Sequence, residues 1–89
     1  MTDRDRFPRR RRDVRTEALE DGLVAQSADG QKAHLLNRTA AFIWARCDGT
    51  STVAAIAAEL ADETGEEPSR VRRDVAAAVD DLRVKGLVE

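Results

Sequence analysis

The stretch Gly22-Leu23-Val24-Ala25-Gln26-Ser27-Ala28-Asp29-Gly30-Gln31-Lys32-Ala33-His34-Leu35-Leu36-Asn37 decides the fold. Asp29-Gly30 is a turn dipeptide that favours positive φ at Gly, and apolar residues flank it on both sides. As a two-residue hairpin loop it sets Ala28 against Gln31. Pairing then runs back regularly, with Val24 opposite Leu35 on one face and Leu23 opposite Leu36 on the other. Asp21-Gly22 reads as a second turn, which lets Val14–Leu19 add a first strand. Three strands of about five residues cannot stand alone in water. They must pack on helices.

The remainder of the chain supplies them. Asn37 is placed to cap a helix over Arg38–Cys47, in which Ala40, Ile43, Trp44 and Cys47 repeat at the spacing of one face. Asp48-Gly49 stops it. Ser51 or Thr52 can cap a second helix with the stripe Val53, Ile56, Ala57 and Leu60, ended at Thr64-Gly65. Pro68 and Ser69 open a longer third helix, because Pro in a first turn loses no amide partner. Its stripe is Val71, Val75, Ala78, Val79 and Leu82, and Gly86 sits where a left-handed cap belongs. The expected fold is α+β: a small three-stranded antiparallel sheet followed by three helices, similar to a winged helix-turn-helix.

Composition supports one such domain. The chain has 89 residues, of which 42% are hydrophobic and only 3% aromatic, and a net charge of −2. That length allows one core, built mainly from Ala, Val and Leu. No apolar run approaches the roughly 20 residues needed to span a membrane. Arg occupies the N-terminus where a signal peptide needs its apolar stretch, so a cytoplasmic location is expected. A single cysteine, Cys47, excludes an internal disulfide and a multi-cysteine metal site. No cofactor is implied.

Charge is uneven. Residues 1–13 carry six Arg against three Asp, a net of +3, and the remainder carries nine basic against 14 acidic residues, a net of −5. Arg9-Arg10-Arg11-Arg12 therefore reads as a disordered, self-repelling basic tail over 1–13, ahead of a domain over 14–89. Four Arg without interleaved aromatics suit nonspecific electrostatics better than base reading.

His34-Leu35-Leu36-Asn37-Arg38-Thr39-Ala40-Ala41-Phe42-Ile43-Trp44, then Cys47-Asp48-Gly49-Thr50-Ser51-Thr52-Val53, Asp74-Val75 and Gly86-Leu87-Val88, with Leu19-Glu20-Asp21-Gly22 upstream, resemble the PqqD family of pyrroloquinoline quinone biosynthesis and related pathways. The ordered set carries the likeness, over about residues 14–89. It implies a non-enzymatic peptide chaperone that binds the leader of a ribosomally made precursor peptide. The chaperone presents that peptide to a modifying enzyme, often a radical S-adenosylmethionine (radical SAM) enzyme. The resemblance also implies that the leader adds as a strand beside the third strand, toward the third helix. In this chain the strand residues are Lys32, Ala33, His34, Leu35 and Leu36.

At about 100° per residue, Arg72, Ala76, Val79 and Arg83 share one flank of the third helix, and Asp74, Ala77, Asp81 and Lys85 the other. Small Ala leaves room for a ligand side chain and Arg can hold leader carboxylates. The first flank is therefore the expected groove lining. His34→Pro is expected to remove an edge amide. The same edge could instead pair with another copy, giving a homodimer.

Other residues that look chemical have plainer readings. His34 lacks companions for metal ligation. Cys47 ends an apolar helix face as a small core residue. Asp80-Asp81 and Glu66-Glu67 read as solvated surface. The competing function is a winged-helix nucleic-acid-binding regulator, favoured by Arg70, Arg72 and Arg73 and by the Arg run. The acidic body, with Asp74, Asp80 and Asp81 on the same helix, disfavours nucleic acid as the partner.

Overall fold

The computed structural model describes residues 7–27 and 30–89. Three strands come first, β1 (Arg15–Leu19), β2 (Gly22–Gln26) and β3 (Ala33–Asn37), followed by α1 (Arg38–Ala45), α2 (Val53–Thr64) and α3 (Pro68–Val84). The sheet is antiparallel in the order β1-β2-β3, so β1 and β3 are both edges. The α+β expectation holds, as does its register: Leu23 faces Leu36 and Val24 faces Leu35. Ala28 and Asp29 of the expected turn lie outside the described residues, while Gly30 has a φ of 71°.

Sequence chemistry sets each helix boundary. Asn37 Oδ1 accepts from the Ala40 amide at 2.8 Å and Thr52 Oγ1 from the Ala55 amide at 3.0 Å. Gly65, at φ 71°, ends α2. Pro68 opens α3, but its cap is Glu67, whose carboxylate accepts from the Ser69 and Arg70 amides. Glu67 is thus not idle surface, as its pairing with Glu66 suggested. The ionised carboxylate sits at the positive end of the helix dipole.

Gly22 corrects a second expectation. The β1–β2 loop is Glu20-Asp21, because Leu19 already pairs with Gly22. Gly22 is not among the glycines with positive φ. What requires glycine there is proximity: a Cβ would lie 2.0 Å from the Leu36 carbonyl oxygen.

The core lies between one sheet face and the helices. Ala25 and Leu36 from the sheet meet Ile43, Ile56, Val75, Val79 and Leu82. Leu87 and Val88, read as a short exit, are fully part of it at 0% and 2% exposure. The Trp44 indole is only partly buried and donates to the Leu87 carbonyl at 3.1 Å, fastening the C-terminal segment to α1.

Residues 7–13 also depart from the sequence reading. Pro8 is buried, and the backbone of residues 8–11 is bonded on two sides. Gly49 N donates to Pro8 O and Arg10 N to Cys47 O, while Arg11 N donates to Leu87 O and Glu89 N to Arg9 O, all between 2.8 and 3.1 Å. The Arg10 guanidinium stacks on the Trp44 ring at 5.6 Å and donates to the carbonyls ending α1, the negative pole of that helix. Main-chain pairing and a buried proline hold this strap in place, so self-repulsion of the Arg heads does not decide its position. Residues 1–6 of the expected tail lie outside the described residues.

Candidate functional site

The open edge of β3 has a definite polarity. Ser27 N donates to Lys32 O at 2.8 Å, which makes Ser27–Lys32 a hydrogen-bonded pair. Such pairs alternate along an antiparallel ladder. Ala25–His34 and Leu23–Leu36 are therefore also bonded pairs, and the N–H and C=O groups of His34 and Leu36 point to β2. The backbone groups of Ala33 and Leu35 point the other way, out of the sheet. The Leu19–Gly22 pair closing the β1–β2 hairpin fits the same alternation from the opposite side of β2. His34→Pro would consequently break the sheet from within. The edge amides belong to Ala33 and Leu35.

Side chains divide by the same parity. Ala33 and Leu35 lie on the outer face, where Leu35 is 72% exposed and Leu19 45%. These two leucines line an outer groove of about 460 Å³ with Gly22 and Asn37. His34 and Leu36 lie on the helix-packed face; Leu36 is 2% exposed and His34 half-buried. Among the described residues, His34 Nε2 is the one buried side-chain nitrogen or oxygen with no hydrogen-bond partner. Lys32 precedes the strand, with its amide held by Ser27 Oγ at 3.1 Å.

A groove of about 270 Å³ runs from the end of β3 to α3, lined by Asn37, Ala40, Ile43, Val71, Asp74 and Ala78 among others. Its floor is apolar. On α3 its lining comes from the Asp74–Ala78 side of the buried stripe. Of the flank expected from sequence, Arg72 and Ala76 are exposed on the other side and Val79 is in the core at 2%. Arg83 is half-buried, bonded to Asp80 at 3.3 Å and to the Glu89 carbonyl at 3.0 Å. Helical arithmetic identifies both flanks, but only the packing of α3 on α1 and α2 selects the one that lines this groove.

Little here suits chemistry. Cys47 is buried, its thiol donates to the Ile43 carbonyl at 3.2 Å, and burial pushes its pKa up to about 11. It remains a thiol at neutral pH and is a poor nucleophile. Among the described residues no group of three His, Cys, Asp or Glu could hold a metal ion. Nor is any described helix long and apolar enough to cross a membrane.

The chain is thus a small α+β domain in which the outer edge of β3 ends, at Asn37, beside a helix-lined groove. The chain belongs to the PqqD family: the family model for coenzyme PQQ synthesis protein D matches residues 22–88. Among solved structures it is similar to a lasso peptide synthetase B1 complexed with the leader peptide, with a TM-score of 0.81 and 28% identity over 93% of this chain and 98% of that one. TbiB1 in complex with the TbiA(beta) leader peptide gives a TM-score of 0.80 and 18% identity over 91% and 94%, which shows the shared fold. No curated protein sequence matches the chain.

Proposed function

We propose that this protein binds the leader segment of a ribosomally made precursor peptide as a fourth strand on β3 and presents the peptide to a modifying enzyme. The observation that carries this reading is the outward-pointing main chain of Ala33 and Leu35 on an open edge whose last residue, Asn37, lines the α3 groove. Solved relatives of the same fold bound to leader peptides support it. A strand added to a sheet edge gains main-chain hydrogen bonds, and pockets for alternate side chains give selectivity.

The magnitudes assign each part its share. Ala33 and Leu35 offer four backbone groups, at a net of about 1 kcal/mol per bond. Ordering a flexible leader opposes binding by about 2–5 kcal/mol. Main-chain pairing therefore fixes register while contributing little net affinity. Affinity comes from apolar leader side chains in the Ala40–Ile43–Val71–Ala78 floor, at about 1.5–3 kcal/mol for each fully buried one. Asp74 and Glu66 on the groove wall favour basic leader residues next to those anchors.

The family resemblance makes a radical SAM enzyme the modifying partner we propose, with the cytoplasm as the site of action. Leu35→Pro tests the edge. It removes an outward amide at an exposed edge position, where proline is tolerated. Titration of labelled leader peptides encoded beside the gene is expected to show about fivefold weaker binding to a folded Leu35→Pro protein. An exposed change on α2, Asp62→Asn, leaves affinity unchanged. Equal affinity for the proline variant would rule out strand addition at β3.

A further inference from the structure

Three large hydrophobic residues are exposed among the described residues, and two of them, Leu19 and Leu35, line one groove. The groove crosses the outer face of the sheet, from Leu19 on β1 over Gly22 on β2 to Leu35 and Asn37 on β3. Leu19, Gly22 and Asn37 form one row across the three strands. Gly22 puts no side chain into that row, and the Asn37 carboxamide is held at the Ala40 amide, at the start of α1. The row is therefore open from Leu19 to the free edge of β3.

Asn37 also lines the groove that runs to α3. The two grooves meet at the end of β3, one on the outer face of the sheet and the other on its helix-packed side. We propose that the leader is gripped on both sides at once, by two adjacent apolar residues: one seated in the α3 groove, its neighbour in the outer groove between Leu19 and Leu35. This assignment rests on the strand-addition reading above and names the leader sequence that reading leaves open.

Strand geometry makes the two residues neighbours. Successive side chains of an extended chain point to opposite faces, with about 3.4 Å between residues. A leader residue that faces outward beside Asn37 is therefore followed and preceded by residues facing the helices. A strand recognised on one face only would carry its anchors at every second position instead. The outward residue has Leu35 as a diagonal neighbour, about 7–8 Å away and within reach of a long side chain. Leu, Met and Phe meet that length and cover Leu35, which is 72% exposed. Glu20 and Asp21 oppose an acidic residue, and they stand at the far end of the groove, beyond β2 and about 10 Å or more from the leader backbone. Apolar contact thus decides the choice.

The test selects binders to the 89-residue chain from a randomised linear peptide library, so the leader need not be known. Selected peptides that protect the Ala33 and Leu35 amides from exchange are those added to β3. They are expected to carry two adjacent large apolar residues, of which the outer one shows proton contacts to the Leu35 side chain. Its replacement by Ser is expected to weaken binding about tenfold. The double variant Leu19→Thr, Leu35→Thr changes exposed positions to a good strand former, so its melting temperature stays near that of the wild type. Peptides selected on it keep the anchor of the α3 groove and lose the preference beside it. The Ser change then costs less than about twofold, as for a coupled pair whose partner is gone. Leu35→Thr alone moves the preference the same way and guards against a folding defect in the double variant.

Anchors at alternate positions only, a basic residue at the outer position, or an outer preference unchanged in both variants overturns the assignment while strand addition stands. If no peptide selected on the wild type protects Ala33 and Leu35, both readings fall.

Discussion

Gly22 shows how much one residue can decide. With a Cβ it would meet the Leu36 carbonyl oxygen at 2.0 Å, a backbone atom that cannot swing aside. Gly22→Ala is expected to destabilise the fold by about 1–3 kcal/mol through overpacking, read from the urea midpoint. The residue was visible in the sequence as a turn glycine, but the reason for it was not. A dipeptide signals a turn; only the pairing of β2 with β3 reveals the close approach.

Two carboxylates, one in the loop before α2 and one capping α3, belong to the same scale. The Thr50 amide and hydroxyl, each at 2.8 Å, and the Ser51 amide hold Asp48 below its ordinary pKa of 3.8. The Ser69 hydroxyl and amide, with the Arg70 amide, hold Glu67 below 4.5. Depressed folded pKa values mean stability that is present above those ordinary values and lost as pH falls through the folded ones. Stability is therefore expected to drop between about pH 6 and pH 3. The double variant Asp48→Asn, Glu67→Gln should show a shallower fall, measured as urea midpoints at both pH values.

At the scale of elements, sequence chemistry worked where the signal was local. Asn37 and Thr52 cap, and Gly65 and Gly86 terminate. The β2–β3 register is the expected one, but the two-residue loop is not: Gly30 N donates to Ser27 O and Ser27–Lys32 is the bonded pair beside the turn, which inverts the expected parity of the edge. Sequence chemistry failed at the strap over residues 8–11. Main-chain pairing leaves no pattern of side chains, and a run of four Arg reads as solvated whether or not its backbone is bonded. The one clue was Pro8, apolar and rigid beside the run.

The strap joins the end of α1 to the C-terminal segment by four backbone bonds and buries Pro8. A chain beginning at Arg12 is expected to lose about 3 kcal/mol or more, at about 1 kcal/mol per bond plus the lost packing of Pro8. Chemical denaturation checks this. An unchanged midpoint would mean that the Arg segment is a free arm.

On the whole-molecule scale, the family and the open β3 edge were legible while the groove was not. The motif order from Leu19 to Val88 pointed to the family, and the β3 edge is implied by strand order. Which flank of α3 lines the groove is a tertiary fact. The groove takes Asp74 and Ala78, and the Arg72–Ala76 side faces away across the buried stripe of Val71, Val75 and Val79. The parity of the edge was equally hidden, because it depends on which pair beside the β2–β3 turn carries the hydrogen bond.

That parity gives the account its sharpest test, amide hydrogen exchange of the protein with and without a bound leader peptide. Without peptide, the Ala33 and Leu35 amides should exchange quickly, while those of His34 and Leu36, bonded to β2, are protected. Addition of the leader should protect Ala33 and Leu35 and leave the other two as they were. Protection appearing elsewhere, with Ala33 and Leu35 still exchanging quickly in the saturated complex, would contradict strand addition at β3.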